Sequence, residues 1–204
     1  MALVMLRRPL IAALVLTALF AAIGVGIWML AATPGVQVLP GQRLAAVAFN
    51  GGHELDARDG GRPVVLIATA LGVEPEVFRE AFSRVRPAPG GQEPDAQRVR
   101  ENKEVLLRAL APHGVTNERL DEVSDYYRYD RGRGEMWRAR PATAYAIVEG
   151  ERVVGFHIAD GGAGYTSPPF ITVPDVREAR GVARLTFGRE LDRNGSVAKI
   201  SIER

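Results

Sequence analysis

The chain has 204 residues, 47% hydrophobic and 25% charged, and no cysteine, which excludes a disulfide framework, a thiolate nucleophile and a Cys-ligated zinc site. Arg7 and Arg8 are the only charged side chains of residues 1–32, so the formal net charge of +2 belongs to them and residues 33–204 are neutral. A nucleic-acid binder carries its basic excess on the folded part, where phosphate contacts dominate affinity, so that class is set aside.

Pro9 to Ala32 holds no charge and includes IAALVLTALFAAIGVGIWMLAA. A helix over this run extends about 36 Å, enough for a hydrocarbon core of roughly 30 Å. A secretory hydrophobic region is shorter, about 7–15 residues. No A-x-A site follows closely; Ala46-Val47-Ala48 has the pattern but lies well downstream. Residues 1–32 therefore read as an n-region and an uncleaved single-pass anchor, with residues 9–32 in the lipid bilayer. Arg7 and Arg8 precede the run, and Arg43 is the first charge after it. The positive-inside rule then puts the N-terminus in the cytoplasm and residues 33–204 outside. Trp28 fits an interfacial ring, and Ala22 with Gly26 form a small-xxx-small pair that can support helix pairing.

Residues 33–61 read as linker and loop. TPGVQVLPGQR is punctuated by Pro and Gly, RLAAVAF is open between a short strand and a helical turn, and NGGHELDARDGG has loop composition. Residues 62–129 read as a helical section. Pro63 suits the first turn of a helix through VVLIATAL that Gly72 caps. Pro75 opens a second helix, with Val77, Ala81 and Val85 recurring at i+4 beside Phe78 and Phe82. RPAPGGQEP (86–94) is a flexible break. A third helix runs from about Pro94 to Leu110, with Val99, Leu106 and Leu110 on one side, and Pro112 and Gly114 end it. Thr116 N-caps a fourth, whose Val115 and Leu120 form a hydrophobic staple and which carries Val123 and Tyr127.

After a junction loop (130–141) the period changes to alternation. In residues 142–204, AYAIV and RVVGFHI make one hairpin, and VARLTF and SVAKISI a second. The return strands match as V-x-x-[F/I]-x-I, with Val153, Phe156 and Ile158 repeated as Val197, Ile200 and Ile202, an internal repeat of about 44 residues. The expected class is α+β: a helical section, then an antiparallel β unit of two repeated hairpins.

DGGAGYTSPPFITV (160–173) is the most distinctive string. Gly161, Gly162 and Gly164 permit a sharp turn, Tyr165 can pack its ring while its hydroxyl finds a backbone partner, and Pro168-Pro169 gives an extended exit. No Gly-Lys-Ser/Thr follows and Asp160 is the one carboxylate nearby, so a structural corner outweighs a phosphate or calcium loop.

This string resembles a β motif of the G-x-G-Y-T-S-x-P type found, often repeated, in exported bacterial proteins. NKEVLLRALAPHGVTNERLDEVSDYYRY is similar to a segment of uncharacterised envelope-associated proteins of planctomycete-type bacteria. The resemblance covers residues 62–204 and implies fold and export but no activity, so no catalytic residue carries over. With the anchor, it implies a location at the bacterial inner membrane.

Tyr126, Tyr127, Arg128 and Tyr129, with Arg131, Arg133 and Trp137, form the candidate interaction surface, since aromatic and Arg side chains are preferred anchors for a protein or glycan. The plainer alternative has the rings cementing helices to sheet. His53, His113 and His157 lack metal-ligand spacing, so neither metal nor cofactor is expected. The sequence has no G-x-S-x-G, H-E-x-x-H or Walker pattern. The expected function is a membrane-tethered extracytoplasmic binding or structural module of the cell envelope. The alternative is an envelope hydrolase using Glu118, Asp121, Glu122 and Asp125 of the fourth helix, next to Ser124.

Overall fold

The computed structural model of the chain describes residues 36–86, 95–174, 176 and 179–203. Within them the protein is α+β, with four α-helices and two antiparallel sheets. The membrane-spanning expectation falls on residues 9–32, and nearly all of the 86–94 break likewise lies outside the described residues. No helix among the described residues is long and apolar enough to cross a membrane.

Helix α1 (Val64–Leu71) follows Pro63 and stops at Gly72, which donates its N–H back to the Ala68 and Thr69 carbonyls. VVLIATAL is apolar all round, and the helix accordingly buries Val64, Leu66, Ala68, Ala70 and Leu71 at the centre of the helical layer. Helix α2 (Pro75–Ser83) carries its proline in the first turn and buries Phe78 and Ala81; Val85 lies beyond its end. Helix α3 (Ala96–Leu110) starts at Asp95, whose carboxylate accepts from Arg98 N at 2.8 Å. Leu110 is buried there, whereas Val99 is exposed. Helix α4 (Asn117–Tyr126) is capped by Thr116, whose hydroxyl accepts from Arg119 N at 3.2 Å, and both staple residues, Val115 and Leu120, are buried.

One sheet has the order β1-β3-β4, formed by β1 (Gln42–Ala46), β3 (Thr143–Glu149) and β4 (Arg152–Asp160). The other has the order β2-β5-β6-β7, formed by β2 (Ala48–Asn50), β5 (Phe170–Thr172), β6 (Arg180–Thr186) and β7 (Ser196–Ile202). Both expected hairpins are present, as β3–β4 and β6–β7. Two features correct the simpler picture. Residues 42–46 and 48–50 are strand, so within the stretch read as linker and loop RLAAVAF takes the strand form rather than the helical turn, and the chain passes from one sheet to the other at Val47. The β section is also more than two hairpins, because β1 flanks β3 and β5 flanks β6. Strands of three to five residues show too little alternation to declare themselves; their partners impose the conformation.

The repeat extends to a shared irregularity. Val148 pairs Val153 and Ile147 pairs Gly155, which leaves Val154 as an extra residue. Leu185 pairs Val197 and Arg184 pairs Lys199, which leaves Ala198 in the matching place. Strict alternation would point residues three apart to opposite faces, and one bulged residue restores them to the same face. V-x-x-[F/I]-x-I is therefore the written form of a bulge. The two inner faces meet, with Ala144, Phe156 and Ile158 packed among Ile171, Ala183, Val197 and Ile200. Ala45, Ala146 and Val148 pack with Val173 and Val176.

Candidate functional site

The chain from Gly162 to Ser167 donates every backbone N–H within the protein. Gly162 N donates to the Asp160 carboxylate at 2.9 Å, and Ala163 exchanges two 2.9 Å bonds with Arg140. Gly164 N reaches Asn194 O at 2.8 Å and Tyr165 N reaches Gly195 O at 2.9 Å. Thr166 N and Ser167 N share Gly52 O at 2.9 and 3.2 Å. A phosphate cradle needs such donors free, so this segment is a structural junction. Tyr165 is buried, its hydroxyl accepts from Ala142 N at 3.0 Å, and His53 stacks on its ring with centroids 5.2 Å apart. Close backbone approach requires glycine here. At Gly164 (φ 85°) a Cβ would lie 2.8 Å from Arg138 O, and at Gly195 (φ 68°) it would collide with Tyr165 O. Gly161 accepts from Val197 N at 2.8 Å, Pro168 is exposed and Pro169 is buried against Gly52.

Asn194 ties this junction to the helices, a role not visible in the sequence, where DRNG reads as a turn. It is fully buried. Its amide donates to Leu66 O at 2.7 Å and to the Tyr127 hydroxyl at 2.9 Å. Its carbonyl accepts from Gly188 N at 3.2 Å and lies 3.1 Å from Thr69 Oγ1. Arg119 makes a second tie, donating twice to Ala70 O, at 3.0 and 2.8 Å, and once to Arg189 O. It thereby covers the Ala70 carbonyl, which the end of α1 leaves open, and ties it to the loop between β6 and β7.

The Tyr/Arg/Trp cluster divides along the same boundary. Tyr127 and Trp137 are each 4% exposed, which removes them from any surface. Trp137 Nε1 donates to Gly164 O at 2.9 Å, and its ring meets Tyr129 edge-on at 5.8 Å. Burial pushes the Tyr127 phenol up to about 12. Tyr129 is half-buried, and its hydroxyl donates to Gly61 O. Tyr126 packs edge-on against Tyr127 beneath the Arg138 guanidinium. What faces solvent is Arg128, Arg131 and Arg133, the first and last paired with Asp125 and Asp130.

An open cleft of about 690 Å³ lies beside the junction, between the end of β4 and the loop that joins β6 to β7. Arg140 and Asp160 form one wall, and Glu190, Asp192 and Arg193 stand on the other side. The Gly162 N–H, and after it the Arg140 guanidinium, hold Asp160 below the usual carboxylate range. Charges of both signs with neighbouring backbone suit a polar ligand better than an apolar one.

The acids of α4 lie elsewhere. Asp121 pairs with Lys103, Glu122 with Arg119 and Asp125 with Arg128, while the first turn of α4 holds Glu118 below its ordinary value. None of the four lines the cleft. His157 opposes Tyr145 on the outer side of its sheet, and His113 ends a short 3-10 turn after α3. Among the described residues no three His, Asp or Glu side chains converge as metal ligands. The chain matches no protein-family model, and no curated protein or solved structure has significant similarity to it.

Proposed function

We propose that the chain is a single-pass, membrane-tethered module of the bacterial cell envelope. Its folded part lies outside the cytoplasm and binds an envelope protein or glycan. The observation that carries this reading is the uncharged run Pro9–Ala32, directly preceded by Arg7 and Arg8 and followed, after residues 33–41, by the strand at Gln42. Binding rather than hydrolysis is supported by the open polar cleft at Arg140, Asp160 and Arg193, and by the engagement of three α4 acids in ion pairs. Exposed Arg128, Arg131 and Arg133 keep a place in the interaction surface; buried Tyr127 and Trp137 do not.

Alkaline carbonate extraction of native membranes, with protease added to spheroplasts, tests the reading. The full chain should stay in the membrane, and the protease should remove residues beyond the anchor. Release into the carbonate wash, or complete protection from protease, would sink the proposal. Cross-linking the full chain to envelope glycan fragments then tests the cleft, and Arg193→Ala should lower the yield several-fold.

A further inference from the structure

We infer that the outer face of the β2-β5-β6-β7 sheet is a docking surface for an anionic lipid bilayer. Register places Phe170 beside Val182 and Ser201 in its central row, with Arg184 and Lys199 beside each other toward one end. Thr172 and Arg180 lie toward the other end. Phe170 is 54% exposed and Val182 51%, although each belongs to a type normally covered. Arg180 stands over the Phe170 ring at 5.9 Å. Among the described residues the acid on this face is Glu203, at the corner opposite Arg180, so the face is net positive although residues 33–204 are neutral.

The Arg184–Lys199 pair is the most informative element. Like charges directly opposite on neighbouring strands destabilise a sheet. The fold does not call for them, because the matching pair in the first hairpin is Ile147 and Gly155. An anion shared between the two side chains removes the repulsion. Several anions in one plane suit the whole face, since Arg180 and Arg184 are about 13 Å apart along β6 and four strands span roughly 15 Å. A phosphate-bearing leaflet offers that plane, and Phe170 and Val182 can enter the boundary between headgroups and acyl chains. A single-stranded nucleic acid favours successive aromatic platforms, and this face has one ring. Two exposed apolar side chains are also too few for the core of an ordinary protein interface.

The surface is separate from the cleft, but it gains from the proposed anchor, which would hold it near a bilayer. The chain lacks cysteine, so Ser201→Cys gives a unique position for an environment-sensitive dye, and Ser124→Cys on α4 gives a control. The full chain is reconstituted into nanodiscs of phosphatidylcholine alone or mixed with phosphatidylglycerol. The dye at position 201 should enter an apolar environment only in the anionic discs, and high salt should reverse this. Each basic residue near an anionic leaflet favours association about five-fold, so Arg184→Glu with Lys199→Glu should weaken the response at least about 20-fold. Indifference of position 201 to phosphatidylglycerol overturns the inference. So does an equal response at position 124, or a shift produced by a single-stranded oligonucleotide in place of lipid. A chain that does not insert into discs contradicts the anchor rather than the face. Flotation of that free chain with phosphatidylglycerol vesicles then decides, binding supporting the surface and its absence overturning it.

Discussion

In the first β unit (β1-β3-β4) the central outward positions Ala46, Tyr145, Ile147, Gly155 and His157 carry no fixed charge, and the charged pair beyond them, Glu149 and Arg152, is of opposite sign. In the second (β5-β6-β7) the matching positions are Phe170, Val182, Arg184, Lys199 and Ser201. The inward positions changed far less: Val153, Ala146 and Phe156 in one copy correspond to Val197, Ala183 and Ile200 in the other. Close packing of the shared core restrains the inner faces, while the outer faces answer to whatever lies outside the molecule. The turns differ as well. The first hairpin closes tightly through Gly150, whereas the second extends its turn and uses Asn194 to hold the helices.

Breaking the turn of the second copy should have the largest effect. Asn194→Leu takes a donor from Leu66 O and strands Gly188 N and the Tyr127 hydroxyl, with an expected loss of about 3–5 kcal/mol in denaturant unfolding. At the first copy's turn, Gly150→Ala meets no atom within 4 Å and strains only a φ of 59°, a cost of about 1 kcal/mol. Equal losses at the two sites would refute the asymmetry.

Alkali probes the same tie. Tyr127 has an ordinary value of 10.0 and is pushed up to about 12, so the folded state holds this proton more tightly than the unfolded chain. The associated stability is complete below about pH 10 and is lost as pH rises toward about 12, a change on the order of 2 kcal/mol. Tyr127→Phe should flatten that limb of the profile. An unchanged limb would show that the phenol is not buried in solution.

A smaller effect is expected between the sheets. A Cβ on Gly181 would meet Ile171 and Ile200 methyl groups at 2.9 Å and Phe156 at 3.2 Å, so Gly181→Ala should cost about 1–3 kcal/mol. On the outer face, Gly155→Ala meets only Ile147 Cδ1 at 3.6 Å and should be close to neutral. Thermal midpoints of the two variants provide the comparison. Smallest of all, Lys199→Ser should raise stability by a few tenths of a kcal/mol by relieving Arg184. A loss there would mean that the cation pair is part of the fold rather than of its surface chemistry.

All four helices are legible in the sequence because Pro63 and Gly72, Pro75, the Pro112 and Gly114 stop after α3, and Thr116 with the Val115–Leu120 staple are local signals. The paired hairpins are legible from their alternation and their repeat. Strands β1 and β2 are legible only in part, as one of two readings of RLAAVAF, and β5 is not; all three are too short to carry a period and are held by distant partners. The burial of Asn194 is hidden, since a polar turn residue gives no local sign of what will cover it, whereas buried Tyr127 and Trp137 follow the plainer reading of their cluster, in which the rings cement helices to sheet. The basic face was open to reading, because Arg184 and Lys199 alternate with apolar residues along their strands. A total charge near zero conceals such clustering.

The bulges at Val154 and Ala198 make the two hairpins equivalent modules, each turning one apolar face inward. A two-stranded hairpin is marginal in water by itself, so each copy serves as the partner that covers the other. Residues 42–50, which pass from one sheet to the other, add a covalent tie to a pairing that otherwise resembles the association of two subunits.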